Sequence, residues 1–293
     1  MRGWLIDFLL FQVCLYLILD IIMITKYDAT NVTLQACEDA GKVFTDGFSR
    51  DVILGKFHPE IFGEKPTLPK PRQAQIIQKL GALWGQSVHL RILAGQDILF
   101  NYGQRGAVDA MALYNLPKGQ ELPLSWTQWF TLKYYEVRFA VNRFINRKFV
   151  NEYLEHPVRT GFFLDVISSP MSESEEIQYR KSLAHKSPEE LKDCAYLPRD
   201  TLYLDILSVA QGAQGSGCGS KLLTESLNLV PIKAPVFTDG DVRVIGPLKA
   251  SLIPTKGKET FYERYGFVTT SRKQVQVPGT DIIVTSKHME RPL

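Results

Sequence analysis

Cysteine is sparse in this chain of 293 residues, with only Cys14, Cys37, Cys194 and Cys218 and no C-x-x-C pair among them. That excludes a disulfide framework and a thiolate zinc site, and it suits a reducing compartment. Histidine is scarce as well: His58, His89, His156, His185 and His288 form no H-x-x-x-H, so no metal is expected. Charge of one sign is missing too, because 34 Lys and Arg against 31 Asp and Glu leave a net charge of +3. Such a balance lacks the concentrated basic footprint of a dedicated nucleic-acid binder, and no nucleic acid is expected as a partner. There is no internal repeat. What remains is an ordinary globular composition, 45% hydrophobic and 22% charged, which suffices to bury a sizeable core.

The one long hydrophobic run lies at the N-terminus. Residues 4–24 (WLIDFLLFQVCLYLILDIIMI) approach the roughly 20 residues that span a bilayer, with Asp7 and Asp20 near the ends of the run. Arg2 precedes the run as in a secretory signal, yet no small-residue cleavage site follows it. Two readings stand. In the first, 1–22 is an added helix or an upstream extension, and a single cytoplasmic domain occupies 23–293. In the second, the apolar run is a membrane anchor; it is the only membrane contact expected.

Along the chain, apolar residues at helical spacing predict a helix over 33–48 and a second helical face over 74–84, with a proline-rich loop at 63–72 between them. Strands are expected at 88–94 and 107–114, with turn chemistry at 95–97 and 102–106. Ser125 is a good N-cap for a long helix that Pro157 would end. Its aromatics, among them Trp126, Trp129, Phe130, Tyr134, Phe139, Phe144 and Phe149, exceed what one apolar stripe needs. They read as core, or as the roof of an acceptor pocket. The polar stretch 168–193 reads as an exposed insertion with short helices, one opened by a capping box at Ser187 and Glu190.

Residues 201–209 (TLYLDILSV) make the clearest strand, and they run into Gln211-Gly-Ala-Gln-Gly-Ser-Gly-Cys-Gly219 and then a helical pattern through Leu229. Strand, glycine turn and helix N-terminus together make an anion site, since small residues let backbone N–H groups approach a phosphate. Counting from Gly212 to Gly217 reaches Cys218 where a nucleotide P-loop needs lysine. Counting from Gly215 and Gly217 puts Ser220 where a dinucleotide turn needs glycine or alanine. Both fit poorly.

Gln214-Gly-Ser-Gly-Cys-Gly219 resembles the acetyl-CoA pyrophosphate loop of the GNAT superfamily of N-acetyltransferases, a [QR]-x-x-G-x-[GA] pattern after a strand, carried here by Gln214, Gly217 and Gly219. Downstream, Phe261-Tyr-Glu-Arg-Tyr-Gly-Phe267 resembles the family's second signature, and Leu248-Lys-Ala-Ser251 the strand end before it. Upstream, Ala112-Leu-Tyr-Asn-Leu-Pro-Lys-Gly119 resembles a segment of the fungal type. The departures are the enlarged 168–193 and a long 231–246 link.

The resemblance implies an α/β fold with a mixed, mostly antiparallel, twisted central sheet flanked by helices. It implies acetyl-CoA as cosubstrate, held along Leu207 and Val209, on the backbone of Gly215, Ser216, Gly217, Cys218, Gly219 and Ser220, with Gln214 shaping the turn and Ser251 near the CoA arm. Tyr262 matches the family's acid for the leaving thiolate. Asp205 has two readings, a base acting through water or a cap on a neighbouring loop; alternation puts it on one face with Tyr203, Leu207 and Val209. The expected activity is acetyl transfer from acetyl-CoA to an amine of a small molecule or peptide. A non-catalytic acyl-CoA-binding module is the alternative.

Overall fold

The computed structural model describes residues 23–48, 61, 67–103, 107–120, 123–153, 171–255, 257–277, 281 and 283–293. Expectations for 1–22, for the helix end at Pro157 and for the turn at 104–106 lie outside these residues. No helix among the described residues is long and apolar enough to cross a membrane.

The frame is a seven-stranded sheet in the order β1-β2-β3-β4-β7-β9-β8. Its strands are β1 (Met23–Tyr27), β2 (Asp97–Gly103), β3 (Ala110–Asn115), β4 (Leu202–Val209), β7 (Lys249–Leu252), β8 (Val268–Gln276) and β9 (Ile283–Pro292). Every neighbouring pair is antiparallel except β4 with β7. A separate hairpin joins β5 (Val236–Asp239) to β6 (Val242–Ile245).

Alternation along the strands feeds two cores. Ile98, Phe100, Ala112, Tyr114, Leu202 and Leu204 pack beneath Leu222, Leu223 and Leu227 of helix α7 (Cys218–Leu229). On the other face Leu99, Met111 and Leu113 meet Cys37, Ala40 and Val43 of α1 (Leu34–Gly47) and Val88 and Ile92 of α2 (Lys70–Leu93). Period two in the strands and period 3.6 in the helices thus close the same layers. The buried Tyr114 hydroxyl reaches Ser226 Oγ at 2.7 Å, so the large ring carries no orphan polar atom into the core.

Several expectations are corrected here. Residues 88–94 are the last turns of α2 and not a strand, because Leu80, Trp84, Val88 and Ile92 continue a single face at four-residue spacing. The strand comes one step later, as β2, and takes in Asp97, Tyr102 and Gly103, which read as turn chemistry; Gly95 and Gln96 do turn. The long helix also breaks early: α3 (Trp126–Ile145) ends at Asn146, and α4 (Arg147–Tyr153) follows. Five of its seven named aromatics, Trp126, Trp129, Phe130, Tyr134 and Phe144, are exposed and not core, while Phe149 packs on Ile76, Leu80 and Tyr153. Leu132 is the one buried residue of α3. Within 168–193, α5 (Glu173–Leu183) and α6 (Pro188–Asp193) open on capping boxes at Ser172 and Ser187. This segment packs rather than floats, with Leu183 and Leu191 buried against Tyr196 and Phe237 and Arg180 Nε 2.8 Å from Asp200.

Candidate active site

The site begins where β4 and β7 part. Leu202, Tyr203 and Leu204 pair with Ala250, Ser251 and Leu252, and β7 then ends while β4 continues to Val209. Residues 205–209 therefore present an edge with no strand beside it on the β7 side, among the described residues.

A bulge sets which side chains face where. Leu113 pairs with Ile206 and Tyr114 with Leu204, which leaves Asp205 as the extra residue of β4. Before it, Leu202 and Leu204 face α7; after it, Leu207 and Val209 do. Ile206 joins the opposite core, and Ser208 Oγ donates to the Val43 carbonyl of α1 at 3.1 Å. Simple alternation is thus corrected: Asp205 does not share a face with Leu207 and Val209. It turns to α2, where its Oδ2 lies 3.2 Å from Arg91 Nη2. Arg91 Nε lies 2.6 Å from Asp97, which is buried and accepts from Asn115 Nδ2 at 2.9 Å. Burial pushes the Asp97 carboxyl up to about 6 against the pull of Arg91. Arg91 had no place in the sequence reading, because its segment read as a strand; the four-residue spacing of α2 was the available signal.

The glycine turn follows directly. Its approach is pinned by α1, since the Gln211 backbone N–H donates to Asp46 Oδ2 at 2.7 Å. Gln214 Nε2 donates to the Val209 carbonyl at 3.2 Å and so ties the turn to the end of the strand. Gly215 and Gly217 both have φ of +84°, the left-handed region that favours glycine, and an added Cβ at either would meet only open space. Gly219 has a different reason: its Cβ would lie 2.9 Å from Val209 Cγ2, so glycine lets the helix start press on β4. Gly217 caps α7 with no side-chain hydrogen bond. The N–H groups of Cys218, Gly219 and Ser220, in the first helical turn, have no backbone partner among the described residues and lie at the positive end of the helix. Cys218 itself is buried, its Sγ 3.6 Å from the Ala213 carbonyl.

The second motif sits on the same side of the sheet. Helix α8 (Glu259–Glu263) ends in a turn in which Gly266 has φ of +80° and Phe267 N–H bonds back to the Tyr262 carbonyl. Phe261, Tyr262 and Tyr265 pack on the cluster that also holds Leu207 and Val209. Burial holds the Tyr262 pKa above the ordinary phenol value. It stays protonated at neutral pH. Ser251, by contrast, is wholly buried, and its hydroxyl is bonded to Thr201 Oγ1. The sequence reading that put it on the CoA arm is corrected, because β7 turns its side chain into the protein. Among the described residues no group of three His, Cys, Asp or Glu could hold a metal.

No protein-family model matches the chain, and no curated protein does. Solved structures similar in fold include a Corynebacterium glutamicum protein described as histone acetyltransferase HPA2 and related acetyltransferase, at TM-score 0.45 and 14% identity over 92% of this chain and 96% of that one. An N-acetyltransferase from Staphylococcus aureus Mu50 is similar at TM-score 0.37 and 14% identity, over 92% of this chain and 100% of its own. The C-terminal condensation domain of Ebony, bound to beta-alanyl-dopamine, is similar at TM-score 0.41 and 10% identity, over 93% and 100%. Likeness at this level leaves the chemistry to be argued from the chain's own residues.

Proposed function

We propose that the chain is an acetyltransferase that moves the acetyl group of acetyl-CoA to an amine of a small molecule or peptide by direct transfer. The observation that carries this reading is the order of two features: an edge over 205–209 with no strand on the β7 side, then a glycine turn and a helix start whose first N–H groups have no backbone partner among the described residues. Acetyl-CoA has the matching order. The two amides of its pantetheine arm can pair with Leu207 and Val209 as a neighbouring strand would, and its pyrophosphate suits the N–H groups of Gly215, Gly217, Cys218, Gly219 and Ser220, while the Ser216 N–H is taken by the Ala213 carbonyl at 3.3 Å. Gln214 braces that turn.

In the reaction the amine nitrogen attacks the thioester carbonyl carbon, a C–N bond forms, and the C–S bond breaks to release CoA thiolate. Tyr262, which burial keeps protonated at neutral pH, gives the thiolate its proton. The proton lost by the amine passes through water to Asp205. Arg91 holds one oxygen of that carboxylate and leaves the other without a described protein partner. Ser251 has no part in this scheme.

Calorimetry with acetyl-CoA tests the reading first. Binding in the micromolar range, of order −8 kcal/mol, is expected. A chain that melts as a folded protein and gives no heat with acetyl-CoA refutes it.

A further inference from the structure

Helix α3 is apolar on two opposite faces, and only one of them is packed. Inward, Leu132 is buried, the Tyr135 ring meets His89 edge-on at 4.5 Å, and Asn142 Nδ2 donates to Gln86 of α2 at 2.7 Å. Outward, Trp126, Phe130, Tyr134, Val137, Val141 and Phe144 follow one another at intervals of three and four residues. They form one stripe along the helix, about 30 Å long for 20 residues. The stripe is bare among the described residues, with Trp126 79% and Phe144 76% exposed. Surface apolar residues scattered singly need no explanation, but a continuous aromatic stripe does.

Two further observations say what covers it. Cations outnumber carboxylates on these helices: α3 and α4 carry Lys133, Arg138, Arg143, Arg147 and Lys148 against Glu136, which pairs with Lys133 at 2.7 Å, and Glu152. At its C-terminal end, beside Ile145, lies an open hollow of about 470 Å³ whose cations Arg72, Lys79 and Lys148 exceed its one carboxylate, Glu152. The Lys79 ammonium stands 4.5 Å over the Phe149 ring that forms part of its wall. A protein partner would account for the stripe alone. A cationic hollow at the end of an exposed Trp, Tyr and Phe stripe suits a surface of phosphate headgroups on which the helix lies flat, its apolar face at the headgroup–acyl boundary.

We propose that the outer face of α3 and the basic hollow at its end form a docking surface for an anionic lipid membrane. The surface is built from α2, α3 and α4 and uses none of the residues assigned to acetyl transfer, so either proposal can fail without the other.

The test is co-sedimentation of the full chain with phosphatidylcholine vesicles that contain or lack about 30% phosphatidylserine. The wild type is expected to bind the anionic vesicles, less well as salt is raised, with a blue shift of tryptophan emission. Two variants are compared: Trp126→Ser/Phe130→Ser/Phe144→Ser, and Arg147→Glu/Lys148→Glu. Each should lose at least about tenfold in vesicle affinity. The substituted side chains are exposed, so melting temperature and acetyl-CoA binding should stay at wild-type values. No binding to anionic vesicles overturns the proposal. Equal binding by the variants also overturns it, because residues 1–22 would then carry the attachment. A concentration-dependent dimer that the stripe variant abolishes, without vesicle binding, overturns it in favour of an interface between copies.

Discussion

Gly217 gives the sharpest prediction, because two separable costs meet there. Its φ of +84° is strained for any L side chain, while the space around its missing Cβ is empty. Gly217→Ala should therefore cost roughly 1 to 2 kcal/mol of stability from the left-handed backbone and nothing from collision. Gly240, in the β5–β6 turn, is the matching control: it has φ of +57° and equally open surroundings, far along the chain from the glycine turn. Gly240→Ala should show a similar loss of stability with no change in acetyl-CoA affinity. Gly217→Glu adds a carboxylate where the pyrophosphate is proposed to sit. Two like charges about 6 Å apart at an effective dielectric of about 20 repel by about 3 kcal/mol, a loss of ~100-fold in affinity. Urea denaturation reads the first cost and calorimetry with acetyl-CoA the second. If Gly217→Glu folds with the stability of Gly217→Ala and binds acetyl-CoA as the wild type does, the cofactor lies elsewhere.

Other predictions follow from the packing and the buried ionisable groups. Burial lowers both His89 and His288 to about 4. A group depressed on folding contributes stability that is present above its unfolded pKa near 6.5 and is lost as pH falls toward 4, up to roughly 3 kcal/mol for each histidine. Asp97, raised to about 6, acts in the opposite sense over the same window. Urea midpoints should fall between pH 7 and pH 4, and Asp97→Asn should steepen that fall; a flat profile contradicts the assignment. Helices α1 and α2 touch through backbone, since a Cβ on Gly41 would lie 2.0 Å from the Gly81 carbonyl oxygen. Gly41→Ala should cost about 1 to 3 kcal/mol in spite of better helix propensity, and a neutral result would show that the helices can separate freely. Asp205→Asn should lower turnover most at low pH, where less of the amine is already deprotonated, and leave acetyl-CoA affinity unchanged.

The parts legible in the sequence were those in which local chemistry and tertiary role agree. Strand 202–209, the glycine turn and α7 follow from an apolar run, small residues and a leucine face, and all three form as read. Where tertiary pairing decides, the sequence misleads. Val88 and Ile92 suit a strand by type, yet they belong to a helical face that begins turns earlier. Asp97 and Tyr102 sit beside turn-forming glycines, yet β1 and β3 recruit the stretch between them as a central strand. Asp205 could not be placed by alternation, because the bulge that reverses the faces exists only in the pairing of β3 with β4. The aromatics of α3 look like core by composition, and burial alone shows that five of the seven are exposed.

The most direct measurement is release of free CoA from acetyl-CoA over a panel of polyamines, amino acids, aminoglycosides and peptide N-termini, with wild type and Tyr262→Phe side by side. Amine-dependent release by the wild type is predicted. In Tyr262→Phe, kcat should fall by ~10²- to 10⁴-fold at unchanged acetyl-CoA affinity, because the hydroxyl acts on a thiolate that forms only in the transition state. Acetyl-CoA binding with no amine-dependent release from any acceptor, or release that Tyr262→Phe leaves untouched across a pH series, would contradict the account.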